Sequence, residues 1–184
     1  MTAAAQPLGS RPPLILSVFS TFAVGGPQVR FVTLANRLGP AFRHAIVAMD
    51  AQTDCAERLR PDLDICYPAV AIRKGETLAN LRSFRAALRR IRPDVLVTYN
   101  WGTIEWAMAN TFPSQLRQVH IEDGFGPEEQ VTQIPRRVWT RRAFLRRRTV
   151  VVPSRTLWTI ATDVWRLSAS RLRYIPNGID LMRF

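Results

Sequence analysis

His120, Glu122 and Asp123 fall within four consecutive positions of RQVHIEDGFGPEE (117–129), the stretch richest in groups that can do chemistry. An imidazole takes or gives a proton near neutral pH, and paired carboxylates accept protons from ligand hydroxyls. Gln118, Val119 and Ile121 read as a short strand, which Gly124, Gly126 and Pro127 then end. The spacing therefore predicts a strand tip carrying His120, Glu122 and Asp123, with His120 contributing little to the core. In an open α/β sheet that edge is the ligand side. The plainer reading of the same residues is a histidine capping a strand, followed by two solvated loop acids.

Two other stretches offer chemistry. Gly25 and Gly26 close a loop after the apolar run Leu14–Phe19, and Pro27 suits the first position of a helix. Such a loop presents free backbone N–H groups and the positive end of a helix dipole to an anion. It is not GxGxxG, which disfavours a nicotinamide or flavin dinucleotide, and a simple tight turn is the alternative. Asn100 ends the run Val95–Tyr99 and is placed on the same sheet edge as His120. Its plainer role is that of a turn residue, with Trp101 a core anchor.

The elements that position these residues alternate along the chain. Strands are expected at Leu14–Phe19, His44–Met49, Leu63–Tyr67, Val95–Tyr99, Thr149–Val152 and Leu172–Ile175, besides the one holding His120. The first helix recurs at Phe31, Leu34, Ala35 and Leu38 until Gly39 and Pro40. The second takes Thr77 as its N-cap and Leu78, Leu81, Phe84, Leu88 and Ile91 as its stripe, with Arg82, Arg85, Arg89 and Arg90 solvated. A third runs through Ile104 and Met108. A last helix, capped by Ser154, carries Leu157, Ile160, Ala161, Val164 and Leu167. Strict alternation predicts an α/β fold: a doubly wound, Rossmann-like parallel sheet of about six or seven strands with helices on both faces.

With 184 residues, 47% of them hydrophobic, the chain can bury one sizeable core. Cys55 and Cys66 have no metal-ligand spacing and read as reduced packing residues. The Leu14–Val24 run is interrupted by hydroxyl residues and too short to span a bilayer; a signal peptide is its other reading. The net charge of +12 is concentrated in residues 130–184, which carry twelve arginines against Asp163 and Asp180. Seven of those arginines lie in IPRRVWTRRAFLRRR (134–148). This segment is expected either to rest on an anionic membrane surface through Arg137, Trp139, Arg141, Phe144 and Arg148, or to be a solvated helix with one packed edge.

Taken together, FSTFAVGGPQ, RPDVLVTYNWG, VHIEDG, VVPSRTLWTIA and YIPNGIDLMRF resemble the N-terminal, acceptor-side half of a GT-B glycosyltransferase of family 4, the retaining enzymes that use nucleotide-activated sugars. The match runs from Leu14 to Phe184. The resemblance implies a flexible 1–11, a Rossmann-like domain at 12–175, and the start of an interdomain linker at 176–184 marked by Asn177, Gly178 and Asp180, with the donor-binding domain beyond the sequence. It implies His120 as the active-site histidine and Gly25 and Gly26 as the loop approaching the donor diphosphate. Asn100, Glu122 and Asp123 become candidates for acceptor hydroxyls. A nucleotide sugar is the expected co-substrate, with a glycan, lipid-linked or small-molecule acceptor and no metal or other cofactor. The protein is expected in the cytoplasm, peripheral to the inner face of the membrane, and this chain alone is expected to be inactive. A non-catalytic sugar or phosphate module on the same fold is the alternative; a nucleic-acid-binding protein fits the charge but not the buried parallel strands.

Overall fold

The computed structural model describes residues 11–111, 116–129 and 131–178. Seven parallel strands form one sheet: β1 (Leu14–Phe19), β2 (Arg43–Ala48), β3 (Ile65–Cys66), β4 (Val95–Tyr99), β5 (Arg117–Ile121), β6 (Thr149–Val152) and β7 (Leu172–Tyr174). Their spatial order is β3-β2-β1-β4-β5-β6-β7, so the winding reverses between β1 and β4. Because all strands are parallel, every strand-to-helix loop emerges on one edge, where ligands of open α/β sheets bind. The expected doubly wound α/β architecture is what the structure shows. Of the expected flexible 1–11, only Arg11 lies within the described residues, and Asp180 lies outside them.

Alternation along the strands sorts two faces. Leu16, Val18, Ala45, Val47 and Leu96 pack with Phe84 and Leu88 of α2 (Thr77–Ile91) and with Trp106 of α3 (Ile104–Ala109). The Phe84 and Trp106 rings stack there at 4.3 Å. Phe19 and Ile46 turn the other way, onto Phe31, Val32 and Ala35 of α1 (Gly26–Leu38). A further cluster joins Val150 and Val152 to Leu145 of α4 (Pro135–Leu145), Leu157 of α5 (Arg155–Thr159) and Trp165.

Several local expectations are corrected. β3 has two residues instead of five, because Leu63 packs under α1 from a turn before the strand. On α1 the buried strip is Gln28, Phe31, Val32 and Ala35, whereas Leu34 and Leu38 are about half exposed. Leu78 is 75% exposed, and Thr77 lies inside α2 rather than capping it: its hydroxyl donates to Glu105 at 2.5 Å. Arg85 and Arg90 are not simply solvated; they donate to the carbonyls of Ala109 and Ala69. Ser154 does cap α5, accepting from the Leu157 N–H at 3.2 Å. Beyond α5, residues Ile160–Val164 form a π-helical turn. The wider turn moves the 3.6-residue register by one, so Trp165 is fully buried and Val164 faces out. Cys55 packs in the core, but Cys66 is exposed.

Buried His44 supplies a testable pH dependence. Its ring stands edge-on to Phe31 at 5.5 Å, and neither nitrogen has a hydrogen-bond partner among the described residues. Burial pushes its pKa below the ordinary histidine value, against a smaller opposing pull from Asp64. The fold thus selects the neutral ring. Its stability contribution is full above the unfolded histidine pKa, about 6.5, and is lost as pH falls below that value. Denaturation of His44→Leu across this range should show a flatter acid limb than the parent; an unchanged limb would exclude His44 as its source.

Candidate active site at the C-terminal sheet edge

Four residues define the rim left by β4 and β5. Asn100 has φ +56° and ψ −177°, outside the left-handed helical well and strained for a residue with a Cβ. Its N–H donates to the Ile121 carbonyl at 2.8 Å, and its side-chain Oδ1 accepts the Asp123 N–H at 2.7 Å. The β4 and β5 loops are thereby tied together. Asp123 receives both guanidinium branches of Arg30, at 2.7 and 2.8 Å, and Arg30 also donates to Asn177 at the exit from the sheet. α1, the β5 loop and the segment after β7 therefore share one arginine. Gly102 sits so close to the β1 loop that a Cβ would lie 1.9 Å from Ser20 Oγ and 3.0 Å from its Cβ.

Between these loops lies an open cleft of about 490 Å³, with Asn100, Trp101, Gly102, Asp123, Phe125 and Arg137 among its walls. Asn100 Nδ2 donates to no group among the described residues, whereas Arg137 Nε, also without a partner among them, is itself buried. The cleft thus offers an unused donor, Asn100 Nδ2, together with the Glu128 carboxylate, a mixture suited to hydroxyl groups, which both donate and accept.

His120 is not at the strand tip. It lies inside β5, opposite Thr98 on one side and Val150 on the other, and is fully buried. Nδ1 is 2.9 Å from Thr98 Oγ1, and Nε2 is 3.5 Å from Glu122 Oε2. Behind it Gln118 donates to Thr98 at 3.2 Å, and Asn110 donates to Gln118 at 3.0 Å. The period-two pattern of β5 turns Gln118, His120 and Glu122 to one face, where α3 and α4 cover them. Glu122 is also fully buried and does not reach a ligand directly.

The partner of Glu122 is Arg141, which the sequence had placed on a membrane surface. Arg141 is 0% exposed. Its Nε donates to Glu122 at 3.1 Å, and its two Nη groups donate to the Glu129 carboxylate, each at 3.2 Å. The guanidinium also lies over Trp101, Trp165 and Phe125, 5.0 to 5.4 Å from the ring centroids. Arg137, one turn earlier, donates to Glu128 at 2.6 Å and to Glu129 at 3.0 Å. Arg148 is turned inward too, onto the Asn110 carbonyl at 2.6 Å. Of the expected membrane set, Trp139 remains exposed, and Phe144 is half-buried edge-on to it at 6.4 Å. Burial raises the pKa of Glu129, but the hydrogen bonds from Arg141 and Arg137 outweigh it and hold the group below the ordinary carboxylate value.

The glycine loop is placed as expected at the start of α1, on the shared edge. Gly25 caps the helix in extended backbone, φ −160°, which any residue adopts. The need for glycine there is only local: a Cβ would meet Gln28 Oε1 at 2.7 Å, the flexible end of a side chain whose Nε2 holds the Thr21 carbonyl. No side chain caps the first turn. Among the described residues no group of three or more His, Cys, Asp or Glu could hold a metal ion.

The model of Glycosyltransferase Family 4 matches residues 24–183, most of the chain. The chain belongs to Glycosyltransferase Family 4. No curated protein matches this family 4 chain. Among solved structures it is similar to Anabaena HepE in complex with UDP-glucose (TM-score 0.66, 13% identity, 91% of this chain and 44% of that one). It is also similar to sucrose-phosphate synthase from Thermosynechococcus elongatus (TM-score 0.64, 16% identity, 94% and 50%). A third is a putative UDP-N-acetylglucosamine 2-epimerase from Listeria monocytogenes (TM-score 0.57, 15% identity, 88% and 44%). The family 4 chain spans half or less of the length of these structures. Fold alone does not choose between transfer and epimerisation. Arg30 and Glu129, central to the geometry, escaped the sequence reading. The available signal was the four-residue spacing of Arg137 and Arg141, which puts both on the strip of α4 that also carries Leu145.

Proposed function

We propose that the chain is the acceptor-binding half of a retaining glycosyltransferase that moves a sugar from a nucleotide-sugar donor to an acceptor hydroxyl on a glycan, a lipid-linked sugar or a small molecule. The observation that carries this reading is the cleft between the β4 and β5 loops, with the unused amide donor of Asn100 in its wall, on the ligand edge of a family 4 domain. The acceptor lies in that cleft. The uncapped first turn of α1 at Gly25 and Gly26 faces the donor diphosphate, where backbone N–H groups stabilise departing negative charge. The HepE complex with UDP-glucose supports a nucleotide sugar as donor. The remaining wall of the cleft comes from a donor domain joined through the Asn177–Gly178 segment. Asp123 fixes the loop through Arg30, and His120 acts from within the sheet, through Glu122 and Arg141, as a positioning residue.

Asn100→Asp in the full-length enzyme tests the reading. The substitution keeps the oxygen that receives the Asp123 N–H but removes the amide donor facing the cleft. Losing one ligand hydrogen bond of about 1 kcal/mol, together with the added negative charge, should raise the acceptor KM about tenfold and leave the donor KM unchanged. An unchanged acceptor KM would remove Asn100 from the site, and nucleotide-sugar binding without any transfer would favour the non-catalytic module.

A further inference from the structure

We propose that the outer face of α4, with the apolar groove beside it, docks on an anionic lipid bilayer. The strip is not the one the sequence suggested, because Arg137, Arg141 and Arg148 are turned inward. Arg136, Trp139, Arg142 and Arg146 follow one another at three, three and four residues and share the opposite, exposed strip of the helix. None of the three arginines pairs with an acid among the described residues. Trp139 stands between them, 65% exposed. Beside it runs an open groove of about 570 Å³ whose walls include Val131, Val138, Ile160 and Val164. Val131 is 96% exposed and Val164 is 42% exposed.

Two properties of this face point to a bilayer. Unpaired guanidinium groups seek lipid phosphates, and an exposed tryptophan flanked by aliphatic side chains partitions at the boundary between headgroups and acyl chains. A nucleic acid satisfies the arginines but offers no hydrocarbon to Val131 or Val164. Asp163, an acid on the π-helical turn, accepts a hydrogen bond from Thr162 and forms no ion pair among the described residues, so the cationic excess stands. The π turn itself makes the groove, since it turns Trp165 into the core and Val164 outward beside Trp139. No helix among the described residues is long and apolar enough to cross a membrane, so the contact is with the surface. This inference uses none of the cleft residues and stands or falls separately from the transfer reaction.

The test is sedimentation of the full-length protein with vesicles of phosphatidylcholine, with and without phosphatidylglycerol. Binding is expected only with the anionic lipid and should weaken as salt rises. The double variant Arg142→Glu, Arg146→Glu should bind about tenfold more weakly through loss of its surface charge attraction, with unchanged thermal unfolding. Brominated phosphatidylcholine mixed into the anionic vesicles should quench the emission of the parent protein and not that of Trp139→Phe. Equal binding to both vesicle types, no binding, or retained quenching in Trp139→Phe would overturn the proposal. So would release from vesicles by a single-stranded oligonucleotide that binds the same strip more tightly.

Discussion

Arg141→Met is expected to destabilise the domain by about 3–5 kcal/mol, the usual cost of removing one partner from a buried ion pair. Among the described residues only this arginine and His120 face the Glu122 carboxylate as donors, and the arginine provides two of the hydrogen bonds to Glu129. Without it Glu122 keeps only the His120 ring beside it in the interior, and Glu129 keeps only Arg137 as a charged partner. Urea denaturation followed by tryptophan fluorescence measures the loss directly, since Trp101 and Trp165 flank the site. The triple variant Arg141→Met, Glu122→Gln, Glu129→Gln should recover most of it, because the penalty lies in the uncompensated charges rather than in the missing side chain. The acid limb should change as well. Glu129, held below the ordinary carboxylate value, stabilises the parent fold above that value, and this contribution is lost as pH falls through the folded pKa. In Arg141→Met that part of the acid dependence shrinks. A loss under about 1 kcal/mol would mean that water already shares the work of the arginine.

His120→Ala should damage both stability and turnover. Removing the ring leaves Thr98 and Glu122 without their buried partner, about 1–3 kcal/mol, and adds a cavity in a close-packed sheet face. The sequence reading expected a variant that folds normally and fails only in chemistry. Full burial of the ring replaces that expectation: the melting temperature and kcat of the full-length enzyme should fall together. His120→Gln retains an amide that can bridge Thr98 and Glu122, and should restore stability more than His120→Ala does. A variant with parental stability and abolished turnover would return His120 to the reacting centre.

Strand and helix types were legible because parallel strands covered on both faces are written as continuous apolar runs, such as LILSVF and TVVV, and three of the seven strands, β1, β4 and β6, have the expected bounds. What was not legible is where polar side chains go once the elements pack. Periodicity cannot distinguish an arginine facing solvent from one facing a buried carboxylate twelve residues earlier, as Arg141 faces Glu129. Nor does a strand run through Ile121 reveal that His120 is packed inside the sheet, since its pairing with Thr98 and Val150 is set by neighbouring strands. The π turn was invisible for a related reason: Val164 and Trp165 are both apolar, and only packing against Gln133 and Phe125 decides which goes inside. The cleft was located correctly to its edge, because loop position follows from topology, but its walls depended on those packing choices.

The chain of hydrogen bonds beneath the cleft has a direction, and that direction can be deduced from one end. The Leu116 N–H can only donate, and it donates to Asn110 Oδ1 at 3.0 Å. The Asn110 amide must therefore turn its Nδ2 toward Gln118, which meets it with Oε1 and is left with Nε2 for Thr98. Thr98 Oγ1 accepts from Gln118 and finds no acceptor for its own proton among the described residues other than His120 Nδ1; donating there leaves the imidazole proton on Nε2, facing Glu122. A backbone amide at the opposite edge of the sheet thus selects the tautomer of a histidine next to the cleft. The series works like a row of one-way valves, and reversing any member forces every later one to reverse or to break.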